Sequence, residues 1–295
     1  LGDNMLKLLP MPGRYIFDLF HEVKKDQKLD SYSLNNVSKV MLGDQKIDMP
    51  PKEMFRRFVE GDPDKLAEVA EYCIKDTLLP HYLMDKMCNI LNLLEMAKAT
   101  WVPMSYLSER GQQIKVFSQI TRKARELGFM VPTIKKRPGD DGGYEGATVL
   151  EAHAGAYYEP ITALDFASLY PSIMMAHNLC FSSMVMNKVY AEVPGVEYES
   201  FQVGDKTYTF AQGVPSLLPV VLSELKEFRK KAKKLMAQHR GTQMEEIYNG
   251  QQLAYKISMN SIYGFCGAQK GMLPCVPIAA TTTCQGRNMI SMTKE

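Results

Sequence analysis

The chain has 295 residues, 45% of them hydrophobic and 23% charged, which is enough for about two domains of roughly 100–200 residues. This composition can bury sizeable cores, so it excludes wholesale disorder and collagen-like or mucin-like repeats. The net charge of +2 neither requires nor excludes a nucleic-acid partner, and no apolar run approaches the roughly 20 residues of a membrane span. Because the chain begins with Leu1 rather than Met and ends without a closing feature, we expect a piece of a longer protein.

The cysteines argue against a zinc site and against a disulfide framework. No two of them form a C-x-x-C pair, and no histidines cluster near them. This usage favours a reduced, intracellular compartment. The six residues are Cys73, Cys88, Cys180, Cys266, Cys275 and Cys284.

The first half of the chain is predicted to be mainly helical. From Asp64 onward, apolar residues recur at intervals of three and four, and Pro63 stands where the first turn of a helix tolerates proline. Two more helical stretches are predicted over residues 82–99 and 106–127. Residues 135–143, K-K-R-P-G-D-D-G-G, form a charged loop rich in glycine and are the best candidate for a domain boundary.

The second half is predicted to combine short strands with two long helices. Residues 147–150 and 161–164 have the pattern of strands, and residues 193–210 that of a hairpin. Helices are predicted over residues 217–238 and 245–263, with Gly264 as the cap of the second. The expected fold is therefore mixed α/β and multidomain, with a pair of antiparallel helices projecting from a sheet region.

The string D-F-A-S-L-Y-P-S-I occupies residues 165–173. The predicted strand places Asp165 at its end, Pro171 ends the strand, and a helix is expected from Ser172. A carboxylate in that position suits Mg²⁺, which binds hard oxygen ligands. A single Asp after an apolar run more often only closes the strand, so the inference depends on the whole string.

A strongly basic stretch, residues 226–240, begins in the first long helix and ends just beyond it. Its single acidic residue is Glu227, and such a run is usually a solvated helix face. Arg229 and Lys233 lie one turn apart, so both side chains could reach one polyanion. The seven basic residues are Lys226, Arg229, Lys230, Lys231, Lys233, Lys234 and Arg240.

The second long helix contains the string K-I-S-M-N-S-I-Y-G over residues 256–264. Lys256, Asn260 and Tyr263 are separated by four and three residues, so they share one face of the helix. Together they offer a positive charge, an amide and a flat ring, which suit a phosphate, a polar contact and a stacked base.

These two strings resemble the first carboxylate motif and the fingers motif of family B DNA polymerases. The resemblance implies that Asp165 binds the catalytic Mg²⁺ ions, with the backbone carbonyl of Phe166 as a further ligand. Tyr170 would exclude a 2′-hydroxyl as a steric gate, and Asp165, Tyr170 and Lys256 would be the catalytic residues. The implied nucleotide-binding residues are Ser168, Leu169, Tyr170, Arg229, Lys233, Lys256 and Asn260, and Tyr263 and Gly264 would pack on the nascent base pair.

Three shorter strings are similar to other elements of the same family. Tyr72 and Asp76 match the Y-x-x-x-D motif of its 3′–5′ exonuclease, in which the Asp binds a metal and the Tyr orients water. Residues 144–147, Y-E-G-A, match the junction element that touches the template strand, and so imply DNA contacts for Tyr144 and Gly146. Residues 283–287, T-C-Q-G-R, match a T-x-x-G-R segment and imply a DNA contact for Arg287.

The resemblance runs along essentially the whole chain. The strings S-E-R-G-Q-Q (108–113) and M-M-A-H-N-L-C (174–180) are similar to delta-type replicative enzymes of eukaryotes and of large double-stranded DNA viruses, and both origins stay open. The implied domains are the C-terminal part of an RNase H-like exonuclease domain (1–100), a helical linker and junction (101–146), the first part of the palm (147–215), the fingers (216–265) and a return to the palm (266–295).

The implied function is template-directed DNA synthesis in a parent protein that also proofreads. Its partners would be primer-template DNA, deoxynucleoside triphosphates, and a sliding clamp with accessory subunits, without a membrane, in the nucleus or at a viral replication site. Three carboxylate motifs of the family, D-x-E, N-x-x-x-F/Y-D and Y-G-D-T-D-S, are missing from the chain. We therefore expect the chain alone to have neither polymerase nor exonuclease activity.

Two other interpretations remain open at this point. An inactive family B relative could serve as a DNA-binding scaffold, although it would not need the metal and sugar contacts of Asp165 and Tyr170. A bare pair of basic helices could bind nucleic acid generically, but that hypothesis leaves the Asp165 string unexplained.

Overall fold

The computed structural model describes residues 11–131 and 143–294. The chain divides into two compact units, Leu1–Leu91 and Asn92–Glu295. The predicted boundary loop, except for Gly143, lies outside the described residues. The domain names given above remain a prediction.

The first unit consists of helices whose starts follow from ordinary capping chemistry. The carboxylate of Asp18 accepts a hydrogen bond from the N–H of Phe20, and the carboxylate of Asp62 accepts one from the N–H of Asp64. Pro63 occupies the first turn of its helix, as predicted. The helices are α1 (Leu19–Asp26), α2 (Leu34–Leu42), α3 (Pro51–Glu60) and α4 (Pro63–Lys86).

Two predicted long helices are each broken in two. Cys88 has a positive φ of 50°, which ends the helical path between α4 and α5 (Asn89–Thr100), so the continuous helix over 82–99 was wrong. Arg110 is extended, with φ −121° and ψ 153°, and separates α6 (Met104–Glu109) from α7 (Gln112–Leu127). The prediction of one helix over 106–127 was therefore also wrong.

The hairpin and the first long helix are confirmed. Strands β1 (Glu197–Val203) and β2 (Lys206–Gln212) pair antiparallel, with Phe201 opposite Tyr208, and they are the only sheet among the described residues. The other elements of the second unit are α8 (Leu169–Ala176), α9 (Leu217–Gln238), α10 (Gln243–Gly267) and α11 (Val276–Lys294). The fold is mixed and helix-rich, with a small sheet.

Helix α10 is longer than predicted, since it runs through Gly264 to Gly267. Phe265 and Cys266 are buried in the core, and this packing favours one more helical turn over a cap at Gly264. Helices α9 and α10 are joined by four residues and form an antiparallel helical hairpin, as expected.

The predicted strands over 147–150 and 161–164 do not form. A strand requires a partner for its backbone hydrogen bonds, and neither segment is paired with any part of the chain that the structure describes. Leu164 is 82% exposed, so its apolar pattern does not reflect burial. Helix α8 begins at Leu169, ahead of the predicted Ser172, and accommodates Pro171 in its first turn.

The main core lies in the second unit. It forms where α7, α8, α9, α10 and α11 meet the hairpin. The largest of its fully buried side chains are Phe210, Phe265, Ile120, Met174, Leu179, Leu218, Leu222, Met259, Ile262 and Ile278. Within 11–131 and 143–294, no helix is both long enough and apolar enough to cross a membrane.

Candidate active site

Two distant motifs meet at a pair of tyrosine rings. Tyr170 lies in the first turn of α8, and Tyr263 lies near the end of α10. Their ring centroids are 4.5 Å apart, and the ring planes are tilted by 43°. The rings belong to the D-F-A-S-L-Y-P-S-I and K-x-x-x-N-S-x-Y-G strings, so the fold joins the two predicted motifs directly.

Tyr144 extends this pair to a cluster of three, called here the tyrosine cluster (Tyr144, Tyr170, Tyr263). The hydroxyl oxygens of Tyr144 and Tyr263 lie 3.1 Å apart and share a hydrogen bond. Burial, together with that hydrogen bond, raises the pKa of the Tyr263 phenol well above its usual value, so the group stays protonated. Gly267 makes room for the cluster, because a Cβ at this position would collide with the Tyr144 hydroxyl.

The T-x-x-G-R segment on α11 holds the junction element in place. The Arg287 guanidinium donates to the backbone carbonyls of Glu145 and Gly146, at 3.0 and 2.7 Å. Thr283 donates its hydroxyl to the Glu145 carbonyl at 2.9 Å. A Cβ at Gly286 would lie 3.0 Å from Cε1 of Tyr170, so this glycine permits close packing. In this structure Arg287 binds protein carbonyls beside the predicted DNA contacts.

The cationic side of the candidate site lies on the α9–α10 hairpin. Lys233, Lys256 and Asn260 are exposed, whereas Arg229 is half-buried and donates from Nε to the Gln252 side-chain oxygen at 3.4 Å. Sequence reasoning missed Gln252, although its position one turn before Lys256 on the same helix face was a usable signal. Gly264 is exposed, with open space where a side chain would stand.

Asp165 lies in an irregular segment three residues before the left-handed Ser168, whose φ is 54°. The Asp165 carboxylate is exposed and forms no hydrogen bond or ion pair with a described residue; Phe166 and Leu169 are partly buried. The carboxylate oxygens of Asp165 suit a hard cation. The described residues nevertheless contain no group of three or more potential metal ligands. One exposed carboxylate does not hold a metal ion by itself. The predicted convergence of Asp165 and Lys256 on one nucleotide remains a prediction.

In the first unit, Tyr72 and Asp76 lie one turn apart on α4, and Lys46 contacts both of them. The Lys46 ammonium lies 2.8 Å from Oδ2 of Asp76 and 4.8 Å from the centre of the Tyr72 ring. The other carboxylate oxygen, Oδ1, is buried without a partner among the described residues, which fits a group that binds a cation. Sequence reasoning missed Lys46, because no local pattern links it to a helix that begins 17 residues later.

The family model that describes DNA polymerase family B matches residues 102–295. The chain belongs to DNA polymerase family B. The matched region contains the tyrosine cluster, the α9–α10 hairpin and Asp165, and the predicted resemblance is confirmed.

Curated relatives extend the similarity over the whole chain. The chain is 46% identical to a DNA polymerase of Paramecium bursaria Chlorella virus NY2A, over 99% of this chain and 33% of the viral one. It is 43% identical to the DNA polymerase delta catalytic subunits of Caenorhabditis elegans and Glycine max, over 100% of this chain and 27% of each relative. The chain thus spans about a third or less of the relatives it matches.

A solved structure supports the fold. The family B DNA polymerase of the hyperthermophilic archaeon Pyrobaculum calidifontis superposes with a TM-score of 0.68 at 21% identity, over 95% of this chain and 36% of that one. At 21% identity, this similarity shows a shared fold and no more.

Proposed function

We propose that this chain is the nucleotide-binding part of a replicative DNA polymerase that adds deoxynucleotides to a primer 3′ end under the direction of a template. The contact between Tyr170 and Tyr263, at 4.5 Å, carries the proposal. It unites a motif that selects the sugar with a motif that binds the incoming nucleotide, 93 positions apart in the chain.

In the proposed reaction, the primer 3′-oxygen attacks the α-phosphorus of a deoxynucleoside triphosphate, and pyrophosphate leaves. The cations of Arg229, Lys233 and Lys256 bind the triphosphate oxygens, and Asn260 adds a neutral polar contact. Such chemistry depends mainly on positioning and charge neutralisation. Inward rotation of the α9–α10 hairpin would bring these cations to the nucleotide only when the base pair is correct.

The tyrosine cluster supplies the rigid side of the same site. Tyr170 excludes a 2′-hydroxyl, with Ser168 and Leu169 beside the triphosphate, while Tyr263 and Gly264 pack against the nascent base pair. Tyr144, Gly146 and Arg287 would contact the DNA. The hydrogen bond between Tyr144 and Tyr263 favours a fixed pocket, because it links the two groups that would touch the base pair.

Family B DNA polymerases use divalent metal ions. In the proposed site Asp165 and the carbonyl of Phe166 would be oxygen ligands of Mg²⁺, together with further carboxylates, and Mg²⁺ would neutralise charge on the triphosphate. In the first unit, Asp76 would be a metal ligand and Tyr72 a water-orienting group of a 3′–5′ proofreading site.

The proposed partners of the whole protein are primer-template DNA, deoxynucleoside triphosphates, a sliding clamp and accessory subunits. The proposed location is the nucleus or a viral replication site. The curated relatives are named as DNA polymerases and catalytic subunits, which favours an enzyme over an inactive scaffold.

Lys256→Ala in the complete polymerase tests the proposal. Losing a charged hydrogen bond to phosphate costs about 1.5–3 kcal/mol, so kcat/KM for the nucleotide should fall about 10- to 100-fold. The dissociation constant for primer-template DNA should change less than about 2-fold, since Lys256 is assigned to the triphosphate.

Lys206→Ala is the matched control. Lys206 is an exposed lysine at the start of strand β2, away from the motifs. It should leave both quantities unchanged. Equal losses of nucleotide use and DNA binding in the Lys256 variant would contradict the assigned role.

A further inference from the structure

Helix α9 begins with hydrogen bonds to side chains that lie far away in the sequence. Helices α1, α2 and α4 each start with an acceptor side chain at their own N-cap residue. On α9 the N-cap residue is Ser216, and its hydroxyl accepts no hydrogen bond from the described N–H groups of the helix. The N–H of Leu217 donates to Oγ of Ser182, and the N–H of Leu218 donates to Sγ of Cys180, both at 3.2 Å. The loop after α8 therefore caps α9.

Asn178 ties the same loop to the start of α9. Its side-chain amide donates to the backbone carbonyls of Ala211 at 2.8 Å and Val214 at 3.0 Å, near the end of β2 and in the segment that leads into α9. Its side-chain oxygen accepts a hydrogen bond from the hydroxyl of Ser216. The Asn178 carbonyl accepts one from the hydroxyl of Ser183, which holds the loop itself. One residue thus joins the end of α8, strand β2 and the N-cap of α9.

The backbone turn at Asn178 does not require these side-chain contacts. Its φ of 48° is left-handed, at a position after a helix where glycine and asparagine are both common. Glycine would suit the turn equally well, but it would supply none of the three side-chain hydrogen bonds. Asn178 is 9% exposed, and a buried amide is stable only when it is paired. The asparagine side chain therefore adds a rigid link to a turn that does not need it.

The direction of α9 matters because the helix acts as a lever. Its base is held by apolar packing, with Leu218 and Leu222 fully buried, but apolar attraction is not directional. Hydrogen bonds, in contrast, prefer defined angles. Arg229 and Lys233 lie about 18 and 24 Å along the axis from Leu217, so a tilt of about 5° at the base would move them by about 1.5–2 Å. A displacement of that size is enough to misplace a bound reactant.

We propose that Asn178 is a positioning residue for nucleotide selection. It orients α9 with respect to α8, and thereby sets the distance from the cations of Arg229 and Lys233 to the ring of Tyr170. This role rests on the proposed function, because Asn178 acts through residues that would touch the nucleotide. When the triphosphate is held at the correct distance, the sugar lies against the Tyr170 ring and a 2′-hydroxyl has no room. When α9 tilts, the sugar can move away from the ring.

Asn178→Gly in the complete polymerase tests this role, since glycine keeps the left-handed turn and removes only the side chain. KM and kcat for single-nucleotide incorporation are measured with a deoxynucleoside triphosphate and with the corresponding ribonucleoside triphosphate. The KM for the deoxynucleotide should rise at least about 5-fold, and the ratio of kcat/KM for deoxynucleotide over ribonucleotide should fall at least about 5-fold, the equivalent of one neutral hydrogen bond. Partial unfolding lowers only the concentration of active enzyme, which cancels from KM and from the ratio.

Asn187→Gly is the matched control. Asn187 is an exposed asparagine of the same unit, and its side-chain oxygen accepts a hydrogen bond from the N–H of Val189, two residues away. Its replacement by glycine removes a local contact and leaves the base of α9 intact. Both KM and the ratio should therefore change less than about 2-fold.

Two substitutions at Ser216 provide a milder test that leaves the turn unaltered. Ser216→Ala removes the hydrogen bond to Oδ1 of Asn178 and should lower the ratio about 2- to 5-fold, whereas Ser216→Thr keeps a hydroxyl and should stay within about 2-fold. In the Asn178→Gly protein, Ser216→Ala should add no further loss, because its partner is already absent. If Asn178→Gly does not fold, the two Ser216 variants decide alone.

Three results would overturn the role of Asn178. They are an unchanged KM and ratio in Asn178→Gly and Ser216→Ala, equal changes in Asn187→Gly, and a loss from Ser216→Ala that adds fully to that from Asn178→Gly. Any of these results in an active polymerase leaves the proposed function intact. A complete polymerase that incorporates no nucleotide would contradict the proposed function, and the role of Asn178 with it.

Discussion

The two units of the chain differ in how firmly each holds its candidate site. In the second unit, the tyrosine cluster rests on a large core that includes Phe265 and Ile262, at 2% and 0% exposure. In the first unit, the buried cluster consists of Val23, Val37 and Leu83 with partly buried neighbours. There Asp76 is positioned by a single ion pair with Lys46.

The apolar residues of α3 sharpen this contrast. Phe55, Phe58 and Val59 are 68%, 72% and 86% exposed, so this helix buries little of the surface that would stabilise it. The motif of Tyr72 and Asp76 therefore lies in a unit whose packed core is much smaller than that of the second unit. We therefore expect the second unit to be the more stable and its site the better preorganised.

The largest expected effect is the loss of a core ring from the second unit. Phe265→Ala should lower the free energy of unfolding by about 3–5 kcal/mol, because it removes a buried ring and leaves a cavity. The same substitution at the exposed Phe58 should cost less than about 0.5 kcal/mol. Urea denaturation followed by circular dichroism measures both. Similar costs at the two positions would contradict the contrast between the units.

Cysteine reactivity compares the units by a second route. Cys73 in the first unit is exposed, whereas burial raises the pKa of the Cys275 thiol to about 11. Relative to the ordinary value of 9.0, that shift alone lowers the thiolate population about 100-fold at pH 8. Iodoacetamide should modify Cys73 first, as read by mass spectrometry at successive times. Cys266 and Cys275 should react only after urea has unfolded the second unit. Equal rates of modification of Cys73 and Cys275 without urea would show that the second unit opens readily.

The smallest expected effect separates two glycines of α10. Gly264→Ala should stabilise the chain by about 0.5–1 kcal/mol, since a Cβ there meets open space and alanine favours a helix. Gly267→Ala should not stabilise the chain in this way. The new methyl group displaces the Tyr144 hydroxyl and breaks its hydrogen bond with Tyr263.

The two alanine variants serve as controls for each other in urea denaturation. We expect a difference of about 1 kcal/mol between them, the size of one neutral hydrogen bond. Equal stabilities would mean that the tyrosine cluster does not depend on the space at Gly267.

Sequence reasoning was most accurate where structure is set by neighbouring residues. The periodicity of α9 predicted its bounds, and Pro63 predicted the start of α4. Sequence reasoning was least accurate where the local structure depends on a partner that is distant in the sequence. The segments over 147–150 and 161–164 look like strands locally, but strands exist only when another backbone pairs with them.

The candidate site follows the same division. The sequence alone indicated the family, through strings that resemble its motifs, and it identified Tyr144, Tyr170 and Tyr263 separately. Only the tertiary structure decided that these rings form one cluster, that Lys46 pairs with Asp76, and that Arg229 contacts Gln252. The physical reason is that residue type and helical spacing are local properties, whereas contacts between distant segments depend on how the core packs the elements that carry them.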